Sequence, residues 1–135
     1  MGYHRLAGLA VATLVTTLAG GSVTGGAVDA VGTAARFNKP SGLAITSDSS
    51  VAFVADYDNH MVRAIDLSTG LVSTVAGTGS AVAMSATASC ATATFNAPSG
   101  LVLTADNSIL CADAWRFEPA VPLLLALSFN LTAPF

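Results

Sequence analysis

Two carboxylates and an imidazole fall within five residues of this chain, at Asp56, Asp58 and His60. Carboxylate and carbonyl oxygens at the mouth of a turn are the donors that a hard cation such as Ca2+ takes. The competing reading is structural, because Asp and Asn side chains commonly bond the backbone of the turn that carries them. Asp56 and Asn59 both sit where such a turn falls. His4, His60, Cys90 and Cys111 hold the donor types of a zinc site, but no Cys stands at ligand spacing from either His. A disulfide between Cys90 and Cys111 would imply an oxidising compartment, and one pair is too little to infer one. Ser41 and Ser99 each follow proline in a repeated Pro-Ser-Gly, which points to a turn rather than a nucleophile. Gly20-Gly21 and Gly77-Thr78-Gly79 lack the following helix and Lys that would cradle a phosphate. They read as turns that let the chain cross between units.

Composition sets the frame that must position these residues. Charged residues make up 10% of the 135-residue chain, against roughly 25% in an average soluble domain. Val and Thr favour strands and Gly favours turns, so the balance tilts towards all-β. Five Lys and Arg against eight Asp and Glu give a net charge of −3, with the cations scattered. A nucleic-acid partner is therefore not expected, since such binders carry a basic stripe that displaces counterions.

The chain also says one thing twice. Phe37-Asn38-Lys39-Pro40-Ser41-Gly42-Leu43 returns 58 positions later as Phe95-Asn96-Ala97-Pro98-Ser99-Gly100-Leu101. Val54-Ala55-Asp56 is answered by Cys111-Ala112-Asp113 at a spacing of 57. A fixed period marks one supersecondary unit that cannot bury its own apolar face. Within it, Gly42–Thr46, Val51–Asp56, Met61–Leu67 and Leu71–Gly77 read as four short strands. The second is nearly all apolar, as expected when both its faces are covered. Four strands joined by tight turns, then a copy of the first two, form the pattern of propeller blades.

These residues resemble the NHL repeat. The resemblance rests on Pro40 to Leu43 with Gly42, Val54 to Asp56, Asn59-His60 with Arg63, Thr69-Gly70, and Val72 to Gly77. Pro98, Gly100 and Asp113 continue it in the second copy. It implies a β-propeller, a fold shared by lactonase-like enzymes, lyases and binding scaffolds, so fold alone does not set function. Because the family's Asp and Asn-His positions recur from blade to blade, the resemblance favours a structural role for Asp56, Asn59 and His60. Arg63, in the third strand, is expected to be solvated or salt-bridged. Propeller enzymes that bind a divalent metal keep the alternative of Ca2+ on Asp56, Asp58, His60 or Asp113 open.

The organisation expected is residues 1–20 as the last strands of a partial blade, 21–36 as a connecting loop and 37–77 as a complete blade. A second loop follows over 78–94, a partial blade over 95–116, and a divergent apolar tail over 117–135. The alternative for the start is a secretory signal peptide, with His4-Arg5, an uncharged run and a small-residue zone at Ala19-Gly20-Gly21. In the tail, Ala114-Trp115-Arg116-Phe117 replaces the expected turn, and a change of reading frame after Trp115 is one explanation. The run from Val121 to Phe129 is too short for a spanning helix and reads as a buried strand, a helix or an edge cover. Asn130-Leu131-Thr132 fits a glycosylation sequon, relevant only to a secreted chain.

About two blades' worth of strands is the sum, whereas propellers close at roughly four to eight blades. The expectation is therefore a piece of a longer propeller, or a chain that self-associates to complete one. The leading function is a non-enzymatic binding or scaffold module for a protein or small ligand. The alternatives are a metal-dependent enzyme of lactonase or lyase type and a secreted structural repeat protein.

Overall fold

A computed structural model describes residues 14–21, 23–82, 92–105, 109–113 and 125–127, the last two segments as backbone. Strand β1 spans Pro40–Ile45, β2 Val51–Asp56, β3 Met61–Asp66 and β4 Val72–Ala76, forming one antiparallel sheet in the order β1-β2-β3-β4. These match the four strands expected from the repeat to within two residues at each end. β5 (Pro98–Leu103), β6 (Ile109–Asp113) and β7 (Leu125–Leu127) make a second sheet in sequence order. The fold is all-β, two propeller-type blades of which the first has its four strands. No helix of the described residues is long and apolar enough to cross a membrane.

β2 is buried at all six positions, in keeping with its apolar run from Val51 to Ala55. Successive strand side chains point to opposite faces, and each face meets its own cover. Val51, Phe53 and Ala55 join Val62, Ala64 and Ala76 in a core that takes Ala93, Phe95 and Leu101 from the second blade. Ala52, Val54, Ile65 and Val72 form the other core, closed by Ala35 with Ala19, Ala30 and Phe37 from the segment preceding β1. That segment is also tied down by main-chain bonds, Gly32 N–H to Gly70 O at 2.9 Å and Val72 N–H to Ala30 O at 2.9 Å. The four-stranded blade is thus sandwiched between its own leader segment and the next blade.

The repeated Pro-Ser-Gly is where the two blades touch most closely. Ser41 Oγ donates to the carbonyls of Pro98 and Ser99, each at 3.2 Å. A Cβ on Gly42 would lie 2.6 Å from Ser99 O, so only glycine lets the first strands of the blades approach this far.

One expectation changes, and the tail takes one of its three readings, a strand. Of the blade strands expected within residues 1–20, none forms among the described residues, 14–20. They dock instead as a loop, with Gly20 N–H bonded to Gly32 O at 3.1 Å. In the tail, β7 adds to β6 in antiparallel register, Ile109↔Leu127, Leu110↔Ala126 and Cys111↔Leu125. This is the register in which β3 meets β2, where Val54 faces Arg63. The divergent tail therefore supplies the third strand of the second blade, with Leu125 at the station that Arg63 holds in the first. Residues 1–13 with His4, Cys90 and the rest of the Ala/Ser/Thr loop over 83–91, Trp115 and the sequon at Asn130 lie outside the described residues.

Candidate functional site

Asp56 ends β2 and Arg63 lies in β3, on the face covered by the leader segment. Both side chains are fully buried. Burying either charge alone would cost several kcal/mol, so each must find its counter-charge and its hydrogen bonds inside. Asp56 does so completely. Its Oδ1 accepts Asn38 N–H at 2.7 Å, and its Oδ2 accepts Asn59 Nδ2 at 2.7 Å and the Arg63 guanidinium at 2.9 Å. Asn59 spends its second amide proton on Gly26 O at 2.8 Å.

Arg63 is the hub. One terminal nitrogen donates to Asp56 and, at 3.2 Å, to Arg36 O; the other pairs with Asp29. Its guanidinium carbon lies 5.2 Å from the centroid of the Phe37 ring, a cation–π distance. Asp29 in turn accepts Thr74 N–H at 3.0 Å and Thr74 Oγ at 3.1 Å from β4. Arg63 Nε is buried with no hydrogen-bond partner among the described residues. One guanidinium thus joins β2, β3, β4 and the leader segment, a task that suits the rigid planar fork of Arg.

His60 and Asp58 point elsewhere. His60 closes the short 3-10 turn Tyr57–Asn59 in the left-handed region (φ 55°), its N–H bonded to Tyr57 O. Its ring reaches the second blade, where Nδ1 accepts Ala97 N–H at 3.0 Å. Asp58 bonds Asn38 O through its N–H and pairs at the surface with Lys39 Nζ at 2.6 Å. That hydrogen bond and charge hold the Lys39 ammonium above its ordinary pKa. In the second copy, the backbone of Asp113 faces Pro98 just as Asp56 faces Pro40.

The three residues that sequence spacing grouped are therefore drawn apart, to a buried arginine, a surface lysine and a neighbouring blade. Among the described residues, no group of three or more His, Cys, Asp or Glu stands close enough to hold a metal ion. The donor set at Asp56 does not fit Ca2+, because both carboxylate oxygens already accept hydrogen bonds and one of them is paired with a guanidinium. Arg63 is salt-bridged as one of the two expected readings had it, but buried rather than solvated. Sequence reasoning missed Asp29, Arg36 and Phe37 as its partners. The only signal for Asp29 was an isolated carboxylate in a glycine-rich loop.

No protein-family model matches the chain. It is 36% identical over 85 residues to NHL repeat-containing protein 2 of Bos taurus, covering 63% of this chain and 12% of that protein. The Gallus gallus protein of the same name is 40% identical over 79 residues, 58% of this chain and 10% of the relative. The chain thus spans about a tenth of the length of these curated relatives. Among solved structures, an auxiliary nutrient binding protein from Bacteroides thetaiotaomicron superposes with a TM-score of 0.58 at 25% identity, covering 71% of this chain and 25% of that one. The repeat in this chain is of NHL type, and it folds as the blades of a partial β-propeller.

Proposed function

We propose that the chain is a non-enzymatic binding or scaffold module of NHL-propeller type, offering the loops along its blade edges to a protein or small ligand. The observation that carries this reading is the commitment of its reactive side chains. Asp56, Asn59 and Arg63 are bonded to one another and to the backbone, and His60 accepts an amide from the next blade. A solved neighbour described as a nutrient binding protein supports a binding role. The rival is a metal-dependent enzyme of lactonase or lyase type on Asp56, Asp58 or His60, which would require Asp56 to release Arg63.

Calcium titration followed by thermal shift, with metal analysis of the purified chain, separates the two. A ligand that binds the native state raises the unfolding temperature in a saturable way. The binding-module reading expects no saturable rise and no stoichiometric metal. A saturable rise that disappears in Asp58→Asn, a change at a half-buried position outside the buried network, would overturn it in favour of the enzyme.

A further inference from the structure

The contact between the two blades is built from repeat-equivalent residues, and each blade shows a bare copy of half of it. Leu101 and Leu103 of β5 pack on the face of the first blade that carries Ala44, Phe53 and Ala55. Shifting by the 58-residue period places Leu43 at the station of Leu101, Ile45 at that of Leu103, and Ala44 at that of Val102. Leu101 is 8% exposed, whereas Leu43 is 59% and Ile45 50% exposed. Register puts Leu43 and Ile45 on the face of Val54 and Ala52, where the leader segment covers β2 to β4 but leaves β1 open. On the opposite side of the pair, Val102 is 59% exposed where Ala44 is packed.

We propose that these two bare faces dock on each other between copies of this chain, head to tail. Leu43 and Ile45 of one copy would seat on the Val102 face of β5 in the next, as Leu101 and Leu103 seat on the Ala44 face within one chain. The occupant is a second copy because the chain already makes this contact once, between like residues in like register. It comes with the Gly42 approach and the Ser41 hydroxyl bonds to the next blade's carbonyls. Such a contact is heterologous: it closes a ring when the rotation allows and otherwise extends. Rings of roughly four to eight blades correspond to about two to four copies. The inference does not depend on which ligand the module takes.

Light scattering across a concentration series of the full chain is the first measurement, and species above the 13.4 kDa monomer are expected. Leu43→Asp and Val102→Asp each remove one face at a solvent-exposed position. Each variant alone should associate at least tenfold more weakly than the unaltered chain, with its far-UV spectrum and unfolding temperature retained. Mixed together they should form a one-to-one pair, because each supplies the face that the other lacks. Ile45→Lys gives a second blocked entry face if Leu43→Asp folds poorly. An unaltered chain that is monomeric at every concentration overturns the proposal, as does a mixture that does not pair or a single variant that associates normally.

Discussion

Replacing Arg63 by Met keeps most of the side-chain volume and removes the charge and all of the guanidinium's donors. What remains is a fully buried Asp56 carboxylate still bonded to Asn38 N–H and Asn59 Nδ2 but lacking its counter-charge. Arg36 O loses its guanidinium donor as well, while Asp29, whose side chain is 47% exposed, can turn to water. The cost therefore concentrates on Asp56. Breaking a buried pair by removing one partner costs about 3–5 kcal/mol, roughly a fifth or more of a typical stability of about 5–15 kcal/mol. With an m-value of about 2 kcal/mol/M, the urea midpoint followed by circular dichroism should fall by about 2 M. Protein concentration is held fixed, since self-association would itself shift the midpoint. Arg63→Lys keeps the charge without the fork and should fall between the two. The double variant with Asp56→Asn should lose less than the sum of the single losses, by about 0.5–3 kcal/mol, as expected of groups in direct contact. A loss below about 1 kcal/mol for Arg63→Met, or strict additivity in the double variant, would refute the buried hub.

His60→Ala removes the acceptor for Ala97 N–H and should lower stability by about 1 kcal/mol; an unchanged urea midpoint would show that His60 does not couple the blades. Asp66 accepts the Ser68 hydroxyl and the N–H groups of Ser68 and Thr69, which hold its carboxyl down to about 2. A carboxyl depressed in the folded state adds stability above its unfolded pKa of about 3.9 and loses it as pH falls towards the folded value. Asp66→Ala should therefore narrow its stability deficit between pH 5 and pH 2, and a deficit that stays constant across an acid titration would contradict the turn geometry.

The repeat, read as a string, was enough for the blade. Turn formers at Ser47-Asp48-Ser49-Ser50 and Thr69-Gly70 set the hairpins, and an unbroken apolar run in β2 already implied two covered faces. Those signals are local, because strand period and turn chemistry act within a few residues. They also let the Asn59 and His60 turn be placed before any partner was known. The grouping of Asp56, Asp58 and His60 misled for the same reason: nearness along the chain says little about direction in a tight turn. Asp56 faces inward because it continues the alternation of Ala52 and Val54, whereas Asp58 lies on the outside of the turn against Lys39.

Tertiary structure alone decided who meets Arg63. Asp29 lies 34 residues away and Arg36 27, and nothing periodic marks either, because such contacts depend on how the leader segment folds over the sheet. The sequence left the tail open between a strand, a helix and an edge cover, and only the fold made it the third strand of the second blade. β7 joins β6 from a tail without the repeat's motif, since strand pairing needs only an available edge and backbone hydrogen bonds, not a matching sequence. The sequence by itself determined the blade and its turns. The packing of segments far apart in the chain turned a would-be cation site into a buried arginine clamp, and it left the faces of Leu43 and Val102 bare.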